Sequence, residues 1–170
     1  MNILDKKTVF QGQLLNVRCD RLESEGRETT REFVVHPGGV SIVAHPTPDE
    51  ILLVSQYRYP TAETLVELPA GTLETGEAPI ETAHRELEEE TGYRAARMNL
   101  LGSYYTTPGF TNELMYLYEA FDLTFKGQHL DDDESIEVLR LSHQEAMRML
   151  GAGEIRDAKT LVGLLMVFPR

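Results

Sequence analysis

A chain of 170 residues, 41% hydrophobic and 26% charged, has the size and balance of one compact domain with room for a small appendage, and can bury roughly two-thirds of its surface. Its net charge of −12 argues against nucleic acid as a partner, because phosphate backbones select basic surfaces. A small phosphorylated ligand stays admissible where divalent cations bridge the two sets of negative charge.

No apolar run nears the roughly 20 residues of a membrane-spanning helix. Met1 to Lys7 is polar and mixed in charge, unlike a secretion signal, and the lone Cys19 has no intrachain partner. The expectation is a cytoplasmic protein without a membrane partner.

The first elements read as strands. Leu14 to Arg21 alternates, with Leu15, Val17 and Cys19 on one side. Gly26 marks a polar turn, Thr30 to His36 is a second extended run, and Pro37-Gly38-Gly39 breaks it. Val40 to Ala44 and Ile51 to Tyr57 are apolar strands either side of Pro46-Thr47-Pro48-Asp49, and Leu65 to Leu68 is a short strand before Pro69-Ala70-Gly71. Pro79 suits a first helical position and Gly92 a left-handed stop, predicting a helix over 79–91.

Leu100 to Thr106, Met115 to Phe125 and Ile136 to Leu141 follow as strands. Ser142 with Glu145 forms a capping box for a helix through Met149, and Asp157 caps a last helix, Ala158 to Val167, apolar on most faces and so expected to be buried. The order of strands, helix, strands and helices predicts an α/β sandwich with a mixed sheet. A boundary near Pro37-Gly38 divides an N-terminal strand region, 1–37, from the main body, 38–170.

The helix over 79–91 is crowded with carboxylates. Ile80, Ala83 and Leu87 fall on one stripe expected to face the core. Glu86, Glu89 and Glu90 share the neighbouring face, where like charges repel and Arg85 compensates only in part. On spacing alone the face is either a solvated acidic surface or a site for a hard divalent cation such as Mg²⁺.

The segment GTLETGEAPIETAHRELEEETGY, Gly71 to Tyr93, resembles the Nudix box in full. Five residues separate Gly71 from Glu77 and seven separate Glu77 from Arg85-Glu86; Leu87, Glu89-Glu90, Gly92 and Tyr93 complete the pattern. The resemblance implies an α/β/α sandwich hydrolase that uses Mg²⁺, or Mn²⁺ in its place. It implies Glu86 and Glu90 as principal metal ligands, Glu89 as a further ligand with a catalytic part, and the Ala70 carbonyl in the same shell. Arg85 and Glu77 would then orient the carboxylates, and Gly71 and Gly92 would serve backbone geometry.

Beyond the box the chain resembles the ADP-ribose pyrophosphatases. Pro108 stands sixteen residues after Gly92 in Tyr104-Tyr105-Thr106-Thr107-Pro108-Gly109-Phe110-Thr111-Asn112-Glu113. Gln56-Tyr57-Arg58-Tyr59-Pro60 and Glu67-Leu68-Pro69-Ala70-Gly71 look like the segments upstream of the box. Phe10-Gln11-Gly12 through His36 resembles N-terminal strands exchanged across a homodimer.

This implies that Arg58 meets the substrate phosphates, that Glu113 binds the terminal ribose in its own or the partner subunit, and that Arg31, Glu32 and Phe110 belong to the substrate site. Many relatives carry an aromatic residue in the region of Arg31 and Glu32, and this chain has no Trp. For Arg31 and Glu32 an exposed-strand role is the plain alternative.

The acidic run Asp131-Asp132-Asp133-Glu134 precedes an apolar strand. By the resemblance it carries the carboxylate that deprotonates water or closes the metal site, Glu134 first and Asp132 second, since alternate residues of an extended segment project to one side. The activity implied is cleavage of ADP-ribose to AMP and ribose 5-phosphate. The alternatives are hydrolysis of another nucleoside diphosphate sugar such as GDP-mannose, a noncatalytic nucleotide-binding Nudix module, which predicts a broken box, and a purely structural acidic protein.

Overall fold

The computed structural model describes residues 1–130 and 135–168. Three strands, β1 (Asn2–Gln11), β2 (Asn16–Ser24) and β3 (Arg27–Val35), form an antiparallel sheet in that order. Glu25 and Gly26 turn β2 into β3 with φ of 54° and 73°, the paired positive angles of a tight hairpin turn. β1 carries no inward face: all ten of its residues are exposed, and it is held by its backbone ladder to β2. Its mixed-charge sequence gave no sign of a strand before Phe10.

The main sheet has the order β10-β5-β4-β9-β8, built from β4 (Gly39–Ala44), β5 (Glu50–Arg58), β8 (Tyr93–Tyr105), β9 (Leu114–Phe125) and β10 (Ile136–Ser142). Two short strands join it, β6 (Glu63–Glu67) on β5 and β7 (Ala70–Thr72) on β4. β4 and β9 run parallel, from Gly39 opposite Met115 to Ala44 opposite Ala120, and the other pairings are antiparallel, so the sheet is mixed. The helices are α1 (Pro79–Thr91), α2 (His143–Ala152) and α3 (Ala158–Val167).

Every residue of β4 is buried, as a strand covered on both faces requires. Its side chains alternate. Val40, Ile42 and Ala44 pack with Leu52 of β5 against Ala83 and Leu87 of α1. Val43 packs with Ile51, Leu53 and Leu117 against Ala146 and Leu150 of α2 and Leu164 of α3. The result is the expected α/β/α sandwich, with α1 alone on one face.

α1 runs over the expected span. Pro79 opens it, the Glu81 side chain accepts the Ala78 N–H at 3.0 Å, and Gly92 ends it at φ 76°, an angle costly for any residue with a Cβ. Ser142 and Asp157 cap α2 and α3, accepting from the Glu145 and Thr160 backbone N–H groups; the expected box at Ser142 is half made, since the Glu145 carboxylate pairs with Arg148, and α2 runs on to Ala152.

Two expectations of burial fail. Ile80 does not join the core stripe: it is 36% exposed while Ala83 and Leu87 are fully buried, and Thr82 takes the buried place in the first turn of α1. α3 is buried along one line only, Thr160, Gly163 and Leu164, and leaves Leu165 and Met166 exposed. Among the described residues it forms the outer layer of the sandwich.

Candidate active site

The loop from β6 through β7 passes beneath the acidic face of α1. Glu86 lies against Gly71 so closely that a Cβ on that glycine would stand 1.9 Å from the Glu86 carboxyl carbon; only glycine permits the approach. The Ala70 N–H donates to Glu90 Oε2 at 2.9 Å, and Glu90 is 5% exposed. Glu86, Glu89, Glu90, Ala70 and Gly71 thus border one cavity of about 380 Å³, together with Arg58.

Arg85 gathers the acidic groups. It makes a two-point contact with Glu77, Nε to Oε1 at 3.1 Å and Nη2 to Oε2 at 3.0 Å. Its Nη1 donates to Glu86 Oε1 at 2.8 Å and Glu89 Oε2 at 3.0 Å. The hydrogen bonds from Arg85, joined by one from the Thr82 hydroxyl, hold the Glu77 carboxyl down to about 2. The Arg85 guanidinium is raised in turn, by Glu77 first and then by Glu86 and Glu89.

Among the described residues no group of three His, Cys, Asp or Glu side chains is drawn together as a finished metal shell. The reason is visible in the contacts: two of the carboxylates turn to Arg85 and the third to the Ala70 N–H. The donor set nevertheless fits a hard divalent cation. It offers carboxylate oxygens on one wall of a cavity with room for water and phosphate, as Mg²⁺ requires.

A second cavity, of about 350 Å³, shares the wall formed by Arg58, Ala70, Gly71 and Thr72. Glu113 stands in it, accepting from the Thr106 hydroxyl at 2.6 Å with His36 Nε2 at 3.5 Å. Arg58 is not a loose surface arginine: it grips Glu67 through Nε and Nη2 at 2.7 and 2.8 Å. That ion pair, with Glu67 buried, raises the guanidinium.

Arg31, Glu32 and Phe110 meet in a third cavity of about 290 Å³, which Pro108 also lines. The loop carrying Pro108 and Phe110 is latched to β3. The Val34 N–H donates to the Phe110 carbonyl at 2.8 Å, and Asn112 receives the His36 N–H at 2.8 Å while donating to the His36 carbonyl at 3.2 Å.

Glu134 and Asp132 lie outside the described residues. The segments flanking them are anchored: Gln128 Nε2 donates to the carbonyls of Glu90 (2.7 Å) and Ile136 (3.2 Å), and the His129 N–H to the Glu89 carbonyl at 3.1 Å. His129 also lines the acidic cavity.

Sequence reasoning passed over His129, His36, Glu67 and Lys159 as site residues. Only Glu67 and His36 had a signal, standing in segments already singled out. Asp157, next to Lys159, was read as a helix cap and nothing more.

Residues 35–162 match the family described as NUDIX domain. The chain is 39% identical over 158 residues to an ADP-ribose pyrophosphatase of Bacillus subtilis (strain 168), covering 91% of this chain and 85% of that protein. It is 40% identical over 159 residues to a methanol dehydrogenase activator of Bacillus methanolicus, covering 92% and 86%. A solved structure titled as an ADP compounds hydrolase superposes with a TM-score of 0.86 at 26% identity, covering 98% of this chain and 91% of that one.

Proposed function

The chain belongs to the NUDIX family and is a Nudix hydrolase, and from that premise we propose that it cleaves ADP-ribose to AMP and ribose 5-phosphate with Mg²⁺. One observation carries the reading. Arg58 borders both the carboxylate cavity of α1 and the Glu113 cavity, so a diphosphate beside it has acidic groups on one side and a sugar-sized space holding Glu113 on the other.

Glu86, Glu89, Glu90 and the Ala70 carbonyl are the groups that would hold Mg²⁺, with Mn²⁺ as a substitute. Bound there, the ion would neutralise the diphosphate and lower the pKa of the attacking water. Arg85, fixed by Glu77, sets the carboxylates in place and tempers their mutual repulsion. Arg58 donates to phosphate oxygen. Glu113, already oriented by the Thr106 hydroxyl, accepts from hydroxyls of the terminal ribose. Phe110, 57% exposed, offers a face for the adenine, with Arg31 and Glu32 at its edge.

Glu134, with Asp132 in support, is the group we assign to receive the proton as water adds to one phosphorus and the bridging P–O bond breaks. That assignment draws on the anchoring of both flanks of 131–134 beside α1.

The N-terminal region, 1–37, is proposed to mediate a homodimer, leaving 38–170 as the hydrolase domain. The exposed Ile3, Leu4, Val9, Phe10, Leu14 and Leu15 form apolar surface that a second copy would cover. Among the described residues no helix is long and apolar enough to cross a membrane.

ADP-ribose, GDP-mannose and related nucleoside diphosphates, each with and without Mg²⁺, followed by chromatography of products, test the function. AMP appearing from ADP-ribose only with the metal supports it. Faster release of GMP from GDP-mannose would transfer the assignment to that substrate. Tight nucleotide binding without turnover would make the protein a sensor module.

A further inference from the structure

Glu67 closes β6, just before the Leu68 to Gly71 loop, and is 1% exposed. Burial works against its charge, but the Arg58 hydrogen bonds and the nearby Lys159 ammonium outweigh that and hold the carboxyl below its ordinary range. Lys159 Nζ donates to Glu67 Oε2, the oxygen that also receives Arg58 Nη2, and lies 3.1 Å from Asp157 Oδ1. Arg58, Asp157 and Lys159 all border the Glu113 cavity.

The first turn of α3 is pinned around them. Asp157 accepts from the Thr160 N–H and hydroxyl, and the Thr160 hydroxyl oxygen accepts the Leu68 N–H at 2.8 Å.

The charges of these four side chains cancel, two of each sign. Glu67 claims two of the Arg58 donors; with Lys159 sharing the same carboxylate, Glu67 pulls less on the guanidinium. Without Lys159, the cluster of Arg58, Glu67 and Asp157 would carry one net negative charge beside the place where a diphosphate is to bind, with Glu90 also acting on Arg58. In a partly dry pocket such a charge is poorly screened.

We propose that Lys159 is a positioning residue for substrate binding. It offsets Glu67 and Asp157 so that Arg58 presents a cationic face to phosphate oxygen. The inference rests on the nucleoside diphosphate reading of the site, and deepens it by assigning phosphate affinity to a residue on α3, remote in sequence from the acidic helix.

The test measures kcat and KM for the nucleoside diphosphate sugar that the wild type cleaves, in K159M, K159R, D157N, R58A and K159M/R58A. Lys159→Met should raise KM about tenfold with kcat within about threefold, a loss of ground-state binding, and Lys159→Arg should restore most of it. Asp157→Asn retains a capping side chain but removes a negative charge, so it should lower KM; this arm has the opposite sign and stands even if K159M folds poorly.

In the R58A background, K159M should raise KM by clearly less than it does alone, because the part of its effect that passes through Arg58 is already lost. An unchanged KM in K159M, a raised KM in D157N, or a full tenfold effect without Arg58 would overturn the proposal. A wild type inert on every such substrate would overturn the nucleoside diphosphate reading, and this inference with it.

Discussion

Arg85 and Glu77, eight positions apart, form a two-point ion pair in which Nε meets Oε1 at 3.1 Å and Nη2 meets Oε2 at 3.0 Å. The contact joins the loop before α1 to the middle of the helix, and the remaining guanidinium nitrogen is left to hold Glu86 and Glu89. A single arginine thereby restrains the repulsion of a helix face that is unstable as an isolated peptide.

A dependence on pH follows. The Glu77 carboxyl titrates at about 2 in the folded chain against an ordinary value of 4.5. A carboxyl depressed in this way contributes stability that is whole above about pH 4.5 and lost as pH falls toward about 2. Urea midpoints at about pH 6 and about pH 3 should therefore fall further for the wild type than for Glu77→Gln. Equal falls in the two proteins would remove Glu77 from this role.

A side chain at Gly71 should displace the Glu86 carboxylate. A Cβ there would stand 1.9 Å from the Glu86 carboxyl carbon, and the carboxylate would have to leave its place. Displacement by about 1 Å at a reacting site can lower turnover about 100-fold. Gly71→Ala is expected to show a loss of that order while circular dichroism reports an intact fold. Full activity in the variant would mean that Glu86 need not sit where it is found.

The two apolar residues of α1 that the helical stripe treats alike should behave differently. Leu87 is fully buried and Ile80 is 36% exposed. Leu87→Ala should cost about 2–5 kcal/mol of unfolding free energy, and Ile80→Ala less than about 1 kcal/mol. Chemical denaturation of the pair checks this, and comparable losses would contradict the observed difference in burial.

Legibility in the sequence followed burial and local backbone rules. Pro79 and Gly92 bound α1, and Ser142 and Asp157 start α2 and α3, because each acts within one turn. β4 was readable because both its faces are covered and all its residues but Ser41 are apolar or glycine. β1 was not, since all its residues are exposed and nothing selects an alternating pattern where neither face packs.

The same division runs through the site. Spacing alone puts Glu86, Glu89 and Glu90 on one helix face, with Arg85 of the same helix in reach of the first two, but the tie of Glu90 to the Ala70 N–H depends on the β6–β7 loop lying beneath. Glu113 and Phe110 were reachable through the Pro108 loop. Lys159 was not, because only the packing of α3 brings it to Glu67, 92 positions away. The expectations for Glu134 and Asp132 fall outside the described residues.

The central claim is that the acidic face of α1 runs a metal-dependent hydrolysis, and Glu86→Gln tests it most directly. The substitution keeps the side chain's size and hydrogen-bonding reach while removing one charge from the carboxylate set. Steady-state turnover of ADP-ribose at saturating Mg²⁺ should fall by more than about 100-fold, with the fold unchanged by circular dichroism. Turnover within about tenfold of the wild type would contradict the account.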